Sequence, residues 1–286
     1  MEKKPSQPIR LLAFDLDGTL LNSKKELTAR TRAALLAAAQ AGVLLVPTTG
    51  RFYKAMPEAV HALPLQYAIA INGAQIYDIA AARTLRSAEF PAHTALDLME
   101  YLDGFAVIYD CYLDGWGWMT RTMKQRAADY IPNAYALRMV QTLRTDVDDL
   151  KTFVRERNCG VQKVQLFTAD EPLRLKLLEE LTARFPGLCV CSSLPFNVEI
   201  TDARANKGEA VAALAAHLGI APEAVMAIGD GLNDVSLLQT AGWSVAMENA
   251  CEPLLKIADV QTASCDDEGA ALAIERYCLP GGGQDG

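Results

Sequence analysis

Two stretches of the chain alternate short apolar runs with segments of helical periodicity. In the first, the apolar run IRLLAF ends at Asp15, the alanine-rich segment 27–42 has the periodicity of a helix, and the apolar run VLLVP follows. Thr28 is placed to cap the start of that helix, and Gly42 is placed to end it. Strand, helix and strand with continuously apolar strands is typical of a βαβ unit in a parallel sheet covered on both faces.

The last third of the chain repeats this arrangement, whereas the middle differs. Helical patterns at 206–220 and 233–242 flank the apolar run AVMAIG, and a further apolar run, WSVAM, follows. Between about residues 85 and 190, the runs FAVIYDCYL and GWGWMT meet at an Asp-Gly turn, which indicates an antiparallel hairpin. We therefore predict an α/β protein with a parallel-sheet core formed by residues 1–84 and 191–286 and an inserted α+β domain at 85–190.

The composition excludes several classes of protein. Hydrophobic residues make up 51% of the 286 residues, and no apolar run approaches the ~18 residues of a membrane span. The first residues also lack a signal-peptide core, so we expect a cytoplasmic protein with no membrane partner. A formal charge of −8 argues against a nucleic-acid surface, which normally has a basic excess. An anionic ligand would need a locally positive pocket.

The cysteines do not suggest a disulfide framework. There are seven, with scattered spacing, and the closest pair, Cys189 and Cys191, is CxC rather than CxxC. We interpret all seven as reduced thiols. A zinc site is disfavoured because no histidine lies nearby in the sequence.

Carboxylates follow two of the predicted core strands. Asp15 and Asp17 are two positions apart at the end of the first strand, and Asp230 comes directly after AVMAIG. Because ligands of parallel sheets bind at the carboxyl ends of the strands, these acids are expected at one edge of the sheet. Three like charges there would repel one another without a cation. Mg²⁺ binds carboxylate, water and phosphate oxygens, so the sequence predicts a magnesium site.

Groups suited to an anion are expected at the same edge. Thr49 and Gly50 follow the second core strand, and Lys207 lies at the start of a predicted helix. Hydroxyl, amide, ammonium and helix N-terminus together are typical of a phosphate-binding site. Once Mg²⁺ and Lys207 neutralise a phosphate dianion, Asp15 can attack phosphorus and form an aspartyl-phosphate. Asp17 can protonate the departing alkoxide and later deprotonate water, with its carbonyl rather than its carboxyl group on the metal.

Four motifs in this order, DLDGTLL, TTGR, NKGEA and GDGLND, resemble those of the haloacid dehalogenase-like hydrolases. INGAQIYD, VAMENA and the position of the insert are similar to the Cof-type phosphatase branch, and the likeness covers nearly the whole chain. It implies a Rossmann-like core with an inserted α+β cap domain, and a Mg²⁺-dependent phosphatase acting on sugar phosphates, other small phosphorylated metabolites or phosphorylated cofactors. We expect such a chain to be a monomer or a weak homodimer. The segment RANKGE departs from the branch pattern, which puts the local backbone fit around Lys207 in question.

The resemblance also implies a role for each matching residue. Asp15 corresponds to the nucleophile and a Mg²⁺ ligand, Asp17 to the acid/base that binds the metal through its carbonyl, and Asp230 to the residue that completes the metal site. Asp234 matches a supporting carboxylate, and Arg51 lies beside the site in a role that varies within the family. The phosphate-binding positions match Leu16, Thr49, Gly50, Lys207 and Asn233.

Two of the motifs also have other interpretations. DLDGTLLNSKKE places acids as in a calcium loop, at Asp15, Asp17 and Glu26. However, Leu20 stands where that loop needs glycine, and the preceding segment has the pattern of a strand instead of a helix. GDGLND is similar to a dinucleotide-binding turn but lacks the GxGxxG spacing.

Single residues have simpler interpretations as well. Thr49 and Asn233 could serve only as helix caps. Tyr112, Trp116 and Trp118 are candidates for substrate selection by the insert, although the two tryptophans are more typical of a core. A phosphotransferase or mutase with the same aspartate nucleophile, and a non-catalytic ligand-binding relative, are the alternative functions.

Overall fold

The computed structural model describes residues 4–280, so the outermost residues of the predicted core, 1–3 and 281–286, lie outside the described part. The chain forms two compact units. The first contains the residues up to Arg86 and those from Asn206 onward, and the second contains Ser87–Ala205. Within residues 4–280, none of the helices combines the length and the apolar composition that a membrane span requires.

The strands, in chain order, are β1 Leu11–Phe14, β2 Leu44–Pro47, β3 Tyr67–Ala70, β4 Gln75–Asp78, β5 Arg83–Ser87, β6 Ile108–Leu113, β7 Trp116–Thr120, β8 Thr145–Val147, β9 Lys163–Phe167, β10 Leu188–Cys191, β11 Asn197–Asp202, β12 Val225–Gly229, β13 Trp243–Ala246 and β14 Val260–Gln261. The helices are α1 Ala29–Gln40, α2 Glu58–His61, α3 Ala92–Leu102, α4 Arg121–Gln125, α5 Ala134–Leu143, α6 Leu150–Arg157, α7 Glu171–Arg184, α8 Lys207–His217, α9 Val235–Thr240, α10 Glu252–Ile257 and α11 Gly269–Tyr277.

The first unit is built on a parallel five-stranded sheet in the order β14-β13-β12-β1-β2. All four residues of β1 are buried, so both of its faces are covered, as the continuously apolar run predicts. Apolar side chains of α8, α9 and α10 pack against one face of the sheet. The βαβ prediction is confirmed in detail: the Thr28 hydroxyl accepts the Thr31 amide at the start of α1, and Gly42 takes a φ of +89° after its end.

Register brings the ends of three strands together. Phe14 at the end of β1 lies opposite Ile228 in β12 and Pro47 in β2. The residues that follow these strands therefore emerge at one edge of the sheet. A smaller sheet, in the order β3-β4-β5, completes the sheet structure of this unit.

The second unit contains a six-stranded sheet in the order β10-β11-β9-β6-β7-β8. Its neighbours pair antiparallel except β7 and β8, which are parallel. The predicted hairpin is present as β6 and β7, joined at Asp114 and Gly115, which both have positive φ. The boundary expected at residue 190 lies inside β10, and β11 pairs with β9, so this unit continues to Ala205. The predicted α/β class, with a parallel-sheet core and an inserted α+β part, is confirmed.

The two faces of this six-stranded sheet differ in polarity. On β6, Tyr109, Cys111 and Leu113 point into an apolar core shared with α3, α6 and α7. Asp110 alternates with them and is fully buried on the opposite face. There the Arg144 guanidinium donates to Asp110 over 2.6 Å and to the Tyr112 hydroxyl over 2.5 Å.

Removing one partner of the buried ion pair between Arg144 and Asp110 should destabilise the second unit. Arg144→Ala leaves a buried carboxylate without its nearest cation, and we expect the free energy of unfolding to fall by about 3 kcal/mol. This is the lower end of the range for breaking a buried pair, because Lys163 also attracts Asp110. Urea denaturation followed by circular dichroism measures the loss.

Arg121→Ala is the matched control, because Arg121 is largely exposed and its acidic partners lie at 3.8–4.0 Å. Its loss should be below about 1 kcal/mol. Equal stability losses in the two variants would contradict the importance assigned to the buried pair.

Candidate active site

Acidic residues converge at the carboxyl edge of the parallel sheet, and of the three predicted there, Asp15 and Asp230 belong to the group whereas Asp17 does not. Asp15 directly follows β1, and its amide donates to the carbonyl of Ile228 in β12 over 3.1 Å. Asp230 directly follows β12. Carboxylate oxygens of Asp15, Asp230 and Asp234 lie within 4.8 Å of one another. Two strands far apart in sequence therefore deliver their acids to one place.

Lys207 lies among these acids as the first residue of α8. Its fully buried ammonium donates to Asp15 Oδ1 over 2.6 Å and to Asp234 Oδ1 over 2.5 Å. Burial acts to lower the pKa of Lys207, but the two carboxylates outweigh it and the pKa is raised. The backbone around NKGEA fits a helix start, because the Asn206 side chain caps α8 by accepting the Glu209 amide over 2.8 Å.

Asp234 connects Lys207 to the loop after β12. One carboxylate oxygen accepts the ammonium, and the other accepts the amides of Asp230 and Gly231 over 3.0 and 2.9 Å. Both oxygens are thus engaged with the protein itself. This arrangement positions the loop that carries Asp230.

Asp17 is in a different environment from Asp15. Arg51 donates to its two carboxylate oxygens, 2.7 Å each, and Lys25 lies 3.0 Å from one of them. Burial raises the pKa of Asp17, but the hydrogen bonds and charge of Arg51, with help from Lys25, lower it below the ordinary value. Among residues 4–280, the group of three acids that could hold an ion includes Asp15 and excludes Asp17. Nothing in the sequence motifs predicts the contact between Lys25 and Asp17.

The turn that follows Asp17 requires glycine at position 18. Gly18 has a φ of +95°, and a Cβ there would lie 2.5 Å from Asp230 Oδ2. The next residue, Thr19, donates its hydroxyl to Asp230 Oδ1 over 2.7 Å. Leu16 is buried, and its carbonyl accepts the Leu21 amide, which closes the turn. The calcium-loop interpretation is wrong, because a strand precedes the turn and Glu26 does not join the acidic group.

Thr49 and Gly50 lie at the end of β2, beside the acids of β1. Thr49 is buried, and its hydroxyl accepts the Arg51 amide over 3.2 Å. It does not cap a helix, since the next helical turn begins only at Tyr53 and α2 follows Pro57. A Cβ on Gly50 would lie 2.9 Å from the Asn72 side chain, so the backbone approaches that side chain closely.

Asn72 is a polar residue of this edge that the motif analysis missed. It adopts a left-handed φ of +53°, its amide donates to the Thr49 carbonyl, and its side-chain oxygen accepts Asn233 Nδ2 over 3.1 Å. Asn233 does not cap α9, since the cap position of that helix is Asp234. The Asn-Gly pair one residue after β3 is the signal in the sequence that could have identified Asn72.

The three acids have too little positive charge around them. Burial, and then the charges of neighbouring aspartates, raise the pKa of Asp15 to about 8, although Lys207 acts to lower it. Burial also raises the pKa of Asp230 to about 6. Three carboxylates share one ammonium, so two negative charges stay uncompensated when all ionise. A hard divalent cation fits this donor set, because Asp15 Oδ2 and Asp230 Oδ2 accept no hydrogen bond within residues 4–280.

Comparison with known proteins identifies the family of this chain. A family model described as haloacid dehalogenase-like hydrolase matches residues 12–274. The chain belongs to the haloacid dehalogenase-like hydrolases. This confirms the family inferred from the four motifs.

Individual haloacid dehalogenase-like relatives align over nearly the whole length. Phosphatase YwpJ of Bacillus subtilis (strain 168) is 31% identical, covering 92% of this chain and 98% of that protein. Pyridoxal phosphate phosphatase YbhA of Escherichia coli (strain K12) is also 31% identical, covering 94% and 99%. The crystal structure of a haloacid dehalogenase-like hydrolase from Bacteroides thetaiotaomicron has a TM-score of 0.82 at 27% identity and covers 94% and 99%.

The close approach of Gly18 to Asp230 can be tested with a pair of glycine variants. Gly18→Ala and Gly42→Ala place a side chain at similar positive φ, +95° and +89°, but nothing lies within 4 Å of a Cβ at Gly42. Both variants should lose about 1 kcal/mol of stability from backbone strain. Only Gly18→Ala should lose hydrolysis of p-nitrophenyl phosphate, by at least about tenfold, because it displaces Asp230. Similar rates in the two variants would show that the clash does not affect the site.

Proposed function

We propose that this chain is a Mg²⁺-dependent phosphatase that hydrolyses small phosphorylated metabolites, either sugar phosphates or phosphorylated cofactors, through an aspartyl-phosphate on Asp15. The observation that carries the proposal is the convergence of Asp15, Asp230 and Asp234 around the buried ammonium of Lys207. A relative named as a pyridoxal phosphate phosphatase supports the substrate class.

Asp15 is suited to be the nucleophile. Lys207 holds Oδ1, which orients the carboxylate of Asp15 beside the other acids. Attack by Asp15 forms a bond from its carboxylate oxygen to phosphorus and breaks the bond from phosphorus to the ester oxygen. Water then cleaves the acyl phosphate and releases inorganic phosphate. The phosphoryl group would be held by Leu16, Thr49, Gly50, Lys207 and Asn233.

The proposed magnesium site uses the carboxylates of Asp15 and Asp230 and the backbone carbonyl of Asp17. When bound, the ion would neutralise phosphate charge and stabilise the charge that develops during phosphoryl transfer. Asp234 would act on this site indirectly, by holding Lys207 and the amides that follow β12. Thr19 would orient Asp230 through its hydroxyl.

Asp17 is proposed as the general acid and base. Its bidentate pairing with Arg51 keeps the carboxylate ionised, which suits deprotonation of the attacking water. Protonation of the leaving alkoxide requires the carboxyl group to carry a proton, and this is favoured only when Arg51 releases it. An anionic substrate that attracts Arg51 would supply that release.

The same residues could serve a phosphotransferase, since the first half of the reaction is identical and only the acceptor differs. A non-catalytic role is disfavoured because Lys207 bonds to both Asp15 and Asp234, and the carboxylates of Asp15, Asp230 and Asp234 lie within 4.8 Å of one another. We propose that the enzyme acts in the cytoplasm as a monomer or weak homodimer on a small-molecule substrate, without nucleic acid or membrane. Seven free cysteines are in keeping with a reducing compartment.

Replacement of the nucleophile is the most direct test. Asp15→Asn keeps the shape of the side chain and removes the attacking oxygen anion, so release of phosphate from a panel of sugar phosphates and phosphorylated cofactors should fall by at least about 10³-fold. Asp148→Asn is the control, because the Asp148 side chain is 96% exposed and it should keep the full rate. Undiminished phosphate release by Asp15→Asn, in a folded protein, would reject the nucleophile assignment.

The metal assignment predicts a different change. Asp230→Ala should raise the Mg²⁺ concentration for half-maximal rate by at least about tenfold, since a carboxylate ligand is lost. The measurement is a titration of phosphate release with MgCl₂ at saturating substrate, with Asp148→Ala as the control. A titration curve unchanged by Asp230→Ala would remove this residue from the metal site.

A further inference from the structure

Two thiols lie side by side on an edge strand of the second unit. Cys189 and Cys191 are alternate residues of β10, which forms one edge of the six-stranded sheet. They share a face, because successive side chains of a strand point to opposite sides. Val190, between them, packs against the apolar core on the other face. Cys189 is exposed and Cys191 is partly exposed, so both can be reached from solvent.

The two thiols are neighbours on that face, because residues two apart in a strand are separated by only about 6.6 Å of backbone. Hydrogen bonding with the Cys191 thiol lowers the pKa of Cys189 to about 6. The hydroxyl of Thr201, opposite Cys189 on β11, also favours the thiolate. Hydrogen bonding with Cys189, together with burial, raises the pKa of Cys191. These opposite shifts favour the thiolate on Cys189.

The surroundings decide which ion such a pair could bind. Among residues 4–280, the only group of three or more His, Cys, Asp or Glu residues spaced to hold a metal is the aspartate group of the first unit. The thiol pair thus lacks the third and fourth ligands that a tetrahedral zinc site needs. Thiolates select soft ions, and two of them satisfy a soft ion of low coordination number.

We propose that Cys189 and Cys191 form a binding site for one Cu(I) ion, coordinated by both sulfur atoms. Both sulfur atoms bind the ion as thiolates, so any proton that a thiol still carries is released to solvent, and no electron is transferred. The site would be independent in chemistry from the aspartate group, whose oxygen ligands suit hard cations such as Mg²⁺. It adds a soft-metal site to a protein whose proposed activity needs none.

The test uses the full chain, reduced and kept anaerobic, in competition with bicinchoninate for Cu(I). The wild type should withdraw one equivalent of Cu(I) from the chelator. Cys189→Ser and Cys191→Ser should each weaken binding by about 10²–10⁴-fold, because the remaining thiol binds without a chelating partner. Cys159→Ser removes one partly exposed thiol elsewhere in the same unit and should leave the affinity unchanged. Equal affinity in wild type, Cys189→Ser and Cys191→Ser would overturn the proposal.

A second measurement needs no variant and does not depend on how a variant folds. Phenylarsine oxide condenses with two neighbouring thiols and releases one water. The segment 185–204, which trypsin releases as one peptide, contains Cys189 and Cys191 and no other cysteine. Peptide mass mapping of the native protein should place the arsenical on this peptide. Labelling confined to other cysteines, with this peptide unmodified, would show that the two thiols do not act together.

Discussion

The buried ammonium of Lys207 is the interaction on which the rest of the site depends. It joins Asp15, which directly follows β1, to Asp234, in the loop after β12. An ammonium buried without partners would be costly, and two buried carboxylates without a cation would repel each other. Each of these groups is tolerated only because the others are present. The helix start, the first strand and the loop after β12 are therefore held as one arrangement.

Close backbone packing extends this arrangement to the remaining acid. Asp234 accepts the amides of Asp230 and Gly231, and Thr19 donates to the Asp230 carboxylate, so the direction of Asp230 is set from two sides. Gly18 leaves space for that carboxylate, since a Cβ would meet it at 2.5 Å. The carboxylate of Asp230 is therefore held in one orientation by its surroundings. Phosphoryl transfer depends on reacting groups that are fixed in position in this way.

The pKa values of Asp15 and Asp17, only two positions apart, are shifted in opposite directions. Burial and neighbouring acids raise the pKa of Asp15 to about 8, whereas Arg51 lowers the pKa of Asp17 despite its burial. Opposed environments of this kind are a common way for one site to provide two carboxylates with different tasks. Asp15 has the environment of a group that requires a cation to ionise fully, and Asp17 already has its cation.

The amino-acid sequence determined the strand pattern and, through it, the convergence of Asp15, Asp230 and Lys207. This was possible because parallel strands place their carboxyl ends at one edge whatever the length of chain between them. The sequence predicts the end of the insert at residue 190, whereas the second unit extends to Ala205, because β10 and β11 join its sheet through pairing that no local pattern reveals.

Only the tertiary structure decided how the polar side chains pair. Asn72 bonds to Asn233, and Lys25 approaches Asp17, although no periodicity links either pair. The position of Cys189 and Cys191 on an edge strand likewise depends on how β10 pairs in the sheet. Hydrophobic periodicity reports which face of an element is buried, whereas the partners of a polar group depend on distances between distant segments, and those arise only when the chain has folded.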